Sequence, residues 1–229
     1  MGANAQIAVP AFTAGQILTA AQQTQINTGI PVFATTVTRD AAFGGTGEKT
    51  LAEGQFAYLE DTNTTQYYDG AAWQSVSVLP TFGIFNETQA SGTNSGSSVA
   101  NAWTKRTLNT TNKNDITGCS IASSVITLPA GSYYVTASAP FHQSNALRLR
   151  LQNTSDATTA ILGQNADAGS GIGLTVNAFM TGYFTITASK NFELQYYVTG
   201  AVATNGLGQR MNVAAISEVY GEISIQKVA

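Results

Sequence analysis

Over the C-terminal part of the chain, apolar side chains recur at every second position. Tyr133, Val135, Ala137 and Ala139 make one such row, and Leu147, Leu149 and Leu151 make another, alternating with Arg148, Arg150 and Gln152. Phe192, Leu194, Tyr196 and Val198 alternate with Glu193, Gln195, Tyr197 and Thr199, while Ile223 and Ile225 mark a last row. Val176, Ala178, Met180, Phe184 and Ile186 share one face of a longer segment that Gly182 interrupts. A period of two places each row on one side of a β-strand. Between the rows, Ser91 to Ser98, Asn165 to Gly173 and Gly200 to Gln209 are rich in Gly, Ser, Asn and Ala and read as loops. From Thr81 onward, about eight strands in roughly 150 residues predict a two-sheet jelly roll.

The N-terminal part has a different rhythm. Thr19-Ala20-Ala21-Gln22 fits a capping box, so the pattern predicts one helix over Ala20 to Thr28, stopped by Gly29 and Pro31. Two and a half turns are not stable alone in water, so this helix must dock on something. Gln55 to Trp73 then reads as a small meander. Phe56 to Leu59 is a strand, Glu60 to Thr65 a polar turn and Gln66 to Tyr68 a second strand, with Asp69-Gly70 turning the chain tightly into Trp73 to Val76. The expected organisation is an N-terminal arm with a short helix over 1–35, a meander neck over 36–79 and a jelly-roll head over 80–229.

Composition sharpens this picture. Of 229 residues only 10% are charged, and 31 Thr, 17 Ser, 16 Asn and 15 Gln fill the deficit. Thr with Tyr and Phe favours strands, and Gly, Asn and Ser favour turns, so the chain is expected to be mainly β. Residues 1–79 hold six acids and two bases, whereas 80–229 hold seven acids and eight bases, which supports a boundary near Pro80. A net charge of −3 argues against a nucleic-acid partner. No apolar run approaches the ~18 residues that span a bilayer, so no membrane insertion is expected. No Lys or Arg occurs in the first thirty residues, against a secretory signal with a basic start.

Candidate chemistry is sparse. One Cys, Cys119, allows no internal disulfide, and one His, His142, allows no zinc-hydrolase set. A thiol nucleophile needs a base within hydrogen-bond reach, and no family signature links Cys119 to His142. Glu60, Asp61 and Asp69 could chelate Ca²⁺ or flank a glycosidic bond; a solvated acidic turn is the plainer reading, because no Asp-x-Asp-x-Asp-Gly loop is present. Gly169-Ser170-Gly171-Ile172-Gly173 lacks both the spacing and the βαβ setting of a nucleotide fingerprint. The expectation is no enzyme, no cofactor and no metal.

The outward positions of the strands carry the stronger signal. A solvated sandwich face usually bears Lys and Glu; here Thr and Asn accompany Phe179, Tyr183, Tyr197 and Tyr220. Such a charge-poor, aromatic surface has the composition of an interface core. These four residues are the candidate interface of a symmetric self-assembly, a homotrimer.

The run "FTAGQILTAAQQTQINTGIPVFATTVTRDAAFGG" followed by "LAEGQFAYLEDTNTTQYYDGAAWQSV", over residues 10–78, resembles a recurrent N-terminal module of tailed-bacteriophage virion proteins. The stretches "ITLPAGSYYVTASAPF", "ALRLRLQN", "GYFTITASKNFELQYYV" and "YGEISIQKV" resemble the C1q/TNF-like jelly roll. These resemblances imply a trimeric head with aromatic residues packed about the three-fold axis, and a place on a phage particle. The implied function is a short trimeric fibre or appendage of the virion, with no catalysis. Its arm would join other virion proteins through Phe12, Ile17, Leu18 and Ile26, and its head would project. The chain has neither a collagen-like Gly-X-Y run nor a heptad stalk, which favours a short appendage, a collar piece or a capsid decoration (head-fibre) protein over a long fibre. The alternative is an adsorption protein whose head recognises host surface glycan through two loops, with Asn165, Asp167 and Ser170 on one and Asn205, Gln209 and Arg210 on the other.

Overall fold

The computed structural model describes residues 7–26, 29–76 and 80–228. The chain forms two compact units, residues 1–79 and 80–229.

The first unit contains α1 (Ala20–Ile26), β1 (Val32–Phe33), α2 (Thr36–Asp40), β2 (Phe56–Leu59), β3 (Thr64–Tyr68) and β4 (Trp73–Ser75). The capping box expected at α1 is formed: the Gln22 N–H donates to Thr19 Oγ1 at 3.2 Å, and the Thr19 N–H donates to Gln22 Oε1 at 3.0 Å. Residues 27 and 28 of the expected helix lie outside the described residues. The expectation of a single helix needs correcting, because α2 is a second one. Thr35 caps it, accepting from the Thr38 N–H at 3.3 Å, while Thr38 Oγ1 accepts from the Thr35 N–H at 3.0 Å. A threonine at the third helical position replaces the usual Glu or Gln, which hides this box in a Thr-rich run.

The strands of this unit lie in the order β1-β2-β3-β4, with β1 parallel to β2 and the others antiparallel. The segment around Phe33 and the meander therefore share one sheet and one core: Val9, Phe33, Ala42, Ala57 and Leu59, with Phe43 and Trp73 packed against them. Arg39 is buried from α2, its guanidinium 4.6 Å over the Trp73 ring and donating to Gln66. The turn at Asp69 is longer than two residues. The Asp69 carboxylate accepts from the N–H groups of Ala71 and Ala72, and the loop closes with the Asp69 N–H on the Ala72 carbonyl.

The second unit contains β5 (Thr81–Gln89), β6 (Thr104–Lys105), β7 (Thr110–Asn114), β8 (Ser120–Ala122), β9 (Val125–Leu128), β10 (Gly131–His142), β11 (Ala146–Asn153), β12 (Thr158–Leu162), β13 (Ala166–Asp167), β14 (Thr175–Ile186), β15 (Lys190–Val198) and β16 (Glu218–Lys227). The strands beyond the expected eight are mostly short and polar, without an apolar row to reveal them. One sheet runs β14-β10-β16-β5-β7 and the other β12-β11-β15-β9-β8, with β6 on β15 and β13 on β11. The chain crosses repeatedly between the two sheets, and its first and last head strands, β5 and β16, pair antiparallel. This is a jelly-roll sandwich.

The alternating rows face inward and form the core. Tyr133, Val135, Ala139, Leu149, Leu151, Phe192, Leu194, Val198, Ile223 and Ile225 are fully buried, joined by Phe85, Phe141, Ile126 and Leu128. Each Val, Leu, Ile or Phe among them contributes about 1.5–3 kcal/mol through burial. Gly182 occupies an inward position of β14, and a Cβ there would stand 2.8 Å from Ile161 Cγ2 of β12. The gap in the apolar row is where Ile161 fits.

One ion pair lies inside. Arg106 Nε is 2.7 Å from Glu87 Oε2, with both side chains essentially inaccessible. Arg106 also donates to Ser95 Oγ and to the Leu207 carbonyl, and lies 5.3 Å over the Phe141 ring. Loss of hydration pushes the Glu87 carboxyl up and the Arg106 guanidinium down, against their mutual attraction.

Candidate functional site

Register across the five-stranded sheet aligns its outward residues in rows. Tyr183 stands opposite Tyr134, Tyr134 opposite Gln226, and Gln226 opposite Phe82. The next row is Thr181, Thr136, Ser224 and Ile84, followed by Phe179, Ser138, Glu222 and Asn86. Tyr183 is 59% exposed, Phe179 54% and Tyr134 45%. On the four strands named, Glu222 is the one charged residue in these three rows, and it accepts a hydrogen bond from Asn86 Nδ2 at 3.0 Å; on β7, Lys113 stands opposite Ile84 and pairs with Asp115 at 2.7 Å. Hydroxyls satisfy one another: Thr181 donates to Tyr134 at 3.0 Å, and Ser132 and Thr185 lie 2.9 Å apart. Those last two hydroxyls also hold the Tyr183 phenol below its ordinary range.

The face continues past Ser138 into a groove of about 500 Å³ between β10 and the loop that precedes β16. Met211, Val213, Ile216 and Val219 line it and are exposed, Met211 at 83%. Glu218 ties that loop down. Its carboxylate accepts from the backbone N–H groups of Asn212 at 2.8 Å, Met211 at 2.9 Å and Gly92 at 3.0 Å. Three donors aimed at the charged form hold its carboxyl below the usual value of 4.5.

The structure brings only part of the expected interface together. Phe179 and Tyr183 lie on this face with Tyr134, Phe82 and Ile84, which the sequence reading missed. Tyr197 is not on it: β15 belongs to the other sheet, where the ring meets Trp103 with centroids 5.5 Å apart. Nor does Tyr220 offer surface. It is buried, its hydroxyl donating to the Thr93 carbonyl at 2.7 Å, and burial pushes the phenol up to about 12. Gly208 of the covering loop approaches so closely that a Cβ there would be 2.4 Å from Tyr220 Cδ1. The signal for Tyr134 was present, since it is the odd partner of the inward Tyr133 row.

The two expected loops meet the same β10–β11 turn. The His142 N–H donates to Gly206 O, the Gln143 N–H to Leu174 O and the Ala168 N–H to Asn145 O. Asn165, Asp167, Ser170, Gln209 and Arg210 are exposed and Asn205 is half-buried. Arg210 is braced by Asn94 and the Gly92 carbonyl. Of the arm residues, Ile17 is 91% exposed, Phe12 is exposed and Leu18 half-buried. Ile26 ends α1, and its side chain lies outside the described residues. His142 Nδ1 pairs with Thr175 Oγ1 at 2.9 Å, and burial pushes the Cys119 thiol up to about 11, away from nucleophilic use. Among the described residues no group of three or more His, Cys, Asp or Glu is placed to hold a metal ion, and no helix is long and apolar enough to cross a membrane.

No family model matches the chain, and no curated protein matches it significantly. Among solved structures, murine APRIL at pH 5.0 is 9% identical with a TM-score of 0.43, covering 66% of this chain and 100% of its own. The globular domain of zebrafish complement 1qA is 13% identical with a TM-score of 0.39, covering 66% of this chain and 97% of its own. The jelly roll itself is defined by the strand order and register given above.

Proposed function

We propose that the chain is a non-catalytic structural subunit of a tailed-phage particle, a short homotrimeric fibre or appendage. Its head associates through the outward face of the five-stranded sheet, and its N-terminal arm joins other virion proteins. The observation that carries the self-association is that face: Phe179, Tyr183, Tyr134, Phe82 and Ile84, with Glu222 among them and Lys113 at the β7 edge, continuing into the apolar groove beside β16. Soluble monomers seldom keep such a patch open to water, whereas buried aromatic surface of this kind dominates interface energetics. Two hydroxyl pairs on it, Thr181 with Tyr134 and Ser132 with Thr185, already satisfy one another, while Thr136, Ser138, Ser224 and Gln226 are left to pair across the interface.

The face by itself asks for a second copy. Three-fold closure comes from the resemblance of the head stretches to the C1q/TNF-like jelly roll, and the place on a virion comes from the resemblance of residues 10–78. Exposed Phe12 and Ile17 suit an arm that is covered in the particle.

The deciding experiment for assembly is the native mass of the isolated protein by light scattering during gel filtration. A mass near three times 23.9 kDa supports the proposal, and a monomer overturns it. For the virion role, particles grown with a copy lacking residues 1–35 should fail to incorporate it, as read by mass spectrometry of purified particles. Incorporation at the normal level would remove the arm from the attachment.

A further inference from the structure

The outward side of the second sheet carries a groove of about 770 Å³ near the β11–β13 pairing. Trp103 and Tyr197 form an apolar wall, their rings tilted at 59°, and Arg148, Asn165, Asp167 and Thr199 complete the lining. The size falls within the range of small-ligand sites, roughly 300–1,000 Å³. The groove lies across the sandwich from the aromatic face, so self-association through that face leaves it open.

Two arginines stand side by side on β11, and the structure treats them differently. Arg150 is fully engaged: its guanidinium lies 4.2 Å over the Trp103 ring, Nε donates to Gln195 at 2.9 Å and Nη1 to Thr159 at 3.2 Å. It braces the wall. Arg148 lies opposite Tyr197 in the ladder and has no hydrogen-bond or ion-pair partner among the described residues, with its Nε shielded from solvent. Its Nη1 and Nη2, neither shielded in this way nor bonded to any described residue, are the donors left for an arriving anion. Asp167 spends one oxygen on the Gly169 N–H at 2.7 Å, and the Asn165 carboxamide makes no hydrogen bond among the described residues.

We propose that this groove binds an acidic saccharide. The apolar face of a sugar ring packs against Tyr197 and Trp103, and vicinal hydroxyls meet the planar groups of Asn165 and Asp167. A carboxylate on the sugar takes the end-on pair of hydrogen bonds that Arg148 Nη1 and Nη2 have free. Trp103 and Tyr197 lie outside the two expected loops, and the second of these, with Gln209 and Arg210, does not line this groove. The inference does not rest on the virion proposal.

The test is titration of the full chain with a panel of acidic glycans (tetragalacturonate, a hyaluronan tetrasaccharide, sialyllactose) against neutral lactose and cellotetraose. The readout is the Trp103 indole signal in NMR. The expected result is a saturable shift with at least one acidic glycan. Arg148→Gln should weaken it about tenfold or more, the loss of one charge-assisted pair. Asn165→Ala, on an exposed loop, should weaken it several-fold and serves if Arg148→Gln lowers the melting temperature. Arg210→Gln should leave it unchanged. No binding across the panel overturns the proposal, as does binding that neutral glycans match and Arg148→Gln leaves intact.

Discussion

Tyr134 and Tyr183 stand directly opposite each other across the β10–β14 ladder, both on the outward side of the sheet and both open to solvent. Their inward neighbours, Tyr133 and Phe184, stack in the core with ring centroids 5.5 Å apart. The same two strands thus place one aromatic pair inside the sandwich and another on its surface. Only the inner pair is covered within one chain.

If the outer pair is covered by further copies, Tyr183→Asp should break the assembly. It would bury an unpaired charge, at roughly 3–5 kcal/mol per site. The monomer should stay folded, since the side chain stands outside the core. Tyr220→Asp should behave differently and lower the stability of the head itself, because Tyr220 is already buried under its own loop. Light scattering for assembly and thermal melting for the head separate the two; a trimer unchanged by Tyr183→Asp would take that residue out of the interface.

Arg106→Met should destabilise the head by about 3–5 kcal/mol, because it leaves Glu87 buried without its partner. Replacing both residues by apolar ones should recover most of the loss. The sign of the pH effect follows from the raised Glu87 carboxyl. A folded value above the unfolded 4.5 means that folding favours the protonated form, so Glu87 costs stability as pH rises from 4.5 through the folded value. Removing Arg106 raises that value further, so the deficit of Arg106→Met should open as pH rises above the wild-type folded value. Urea unfolding of wild type, single and double variants over acid to neutral pH measures this.

Glu218 should act in the opposite sense. Its folded value lies below 4.5, so its contribution is fully present above 4.5 and is lost as pH falls through the depressed value. Glu218→Ala should free the loop before β16 at all pH values, seen as faster hydrogen exchange at Gly92, Met211 and Asn212. Unchanged exchange at those three amides would show that other contacts hold the loop.

Gly182→Ala should cost about 1–3 kcal/mol, since the new methyl presses on Ile161. Ile161→Ala in the same chain, which removes Cγ2, should return part of the loss, a coupling that a double-mutant cycle reads directly. Additive losses would mean that the strain lies elsewhere.

Much of this molecule is written in local pattern. Alternation marked the inward rows of β10, β11, β14, β15 and β16, because a strand's period of two needs only its own residues to show which positions share a face. The Thr19–Gln22 box and the meander strands were equally local, being set by hydrogen bonds and turns within a few residues. What alternation cannot say is which sheet a strand joins. Tyr183 and Tyr197 are both outward aromatic residues on neighbouring strands, yet the chain crosses the sandwich between them, and pairing partners far away in sequence put them on opposite sides. Tyr220 shows the same limit from another direction, since a loop closing over β16 turned an apparent surface residue into a buried one. The groove beside Trp103 gathers side chains from β11, β13, β15 and the loops beside them, and no period links them. Local chemistry determined the elements and their inner faces; long-range pairing and loop closure decided which outer side chains meet, because those contacts exist only once the two sheets have stacked.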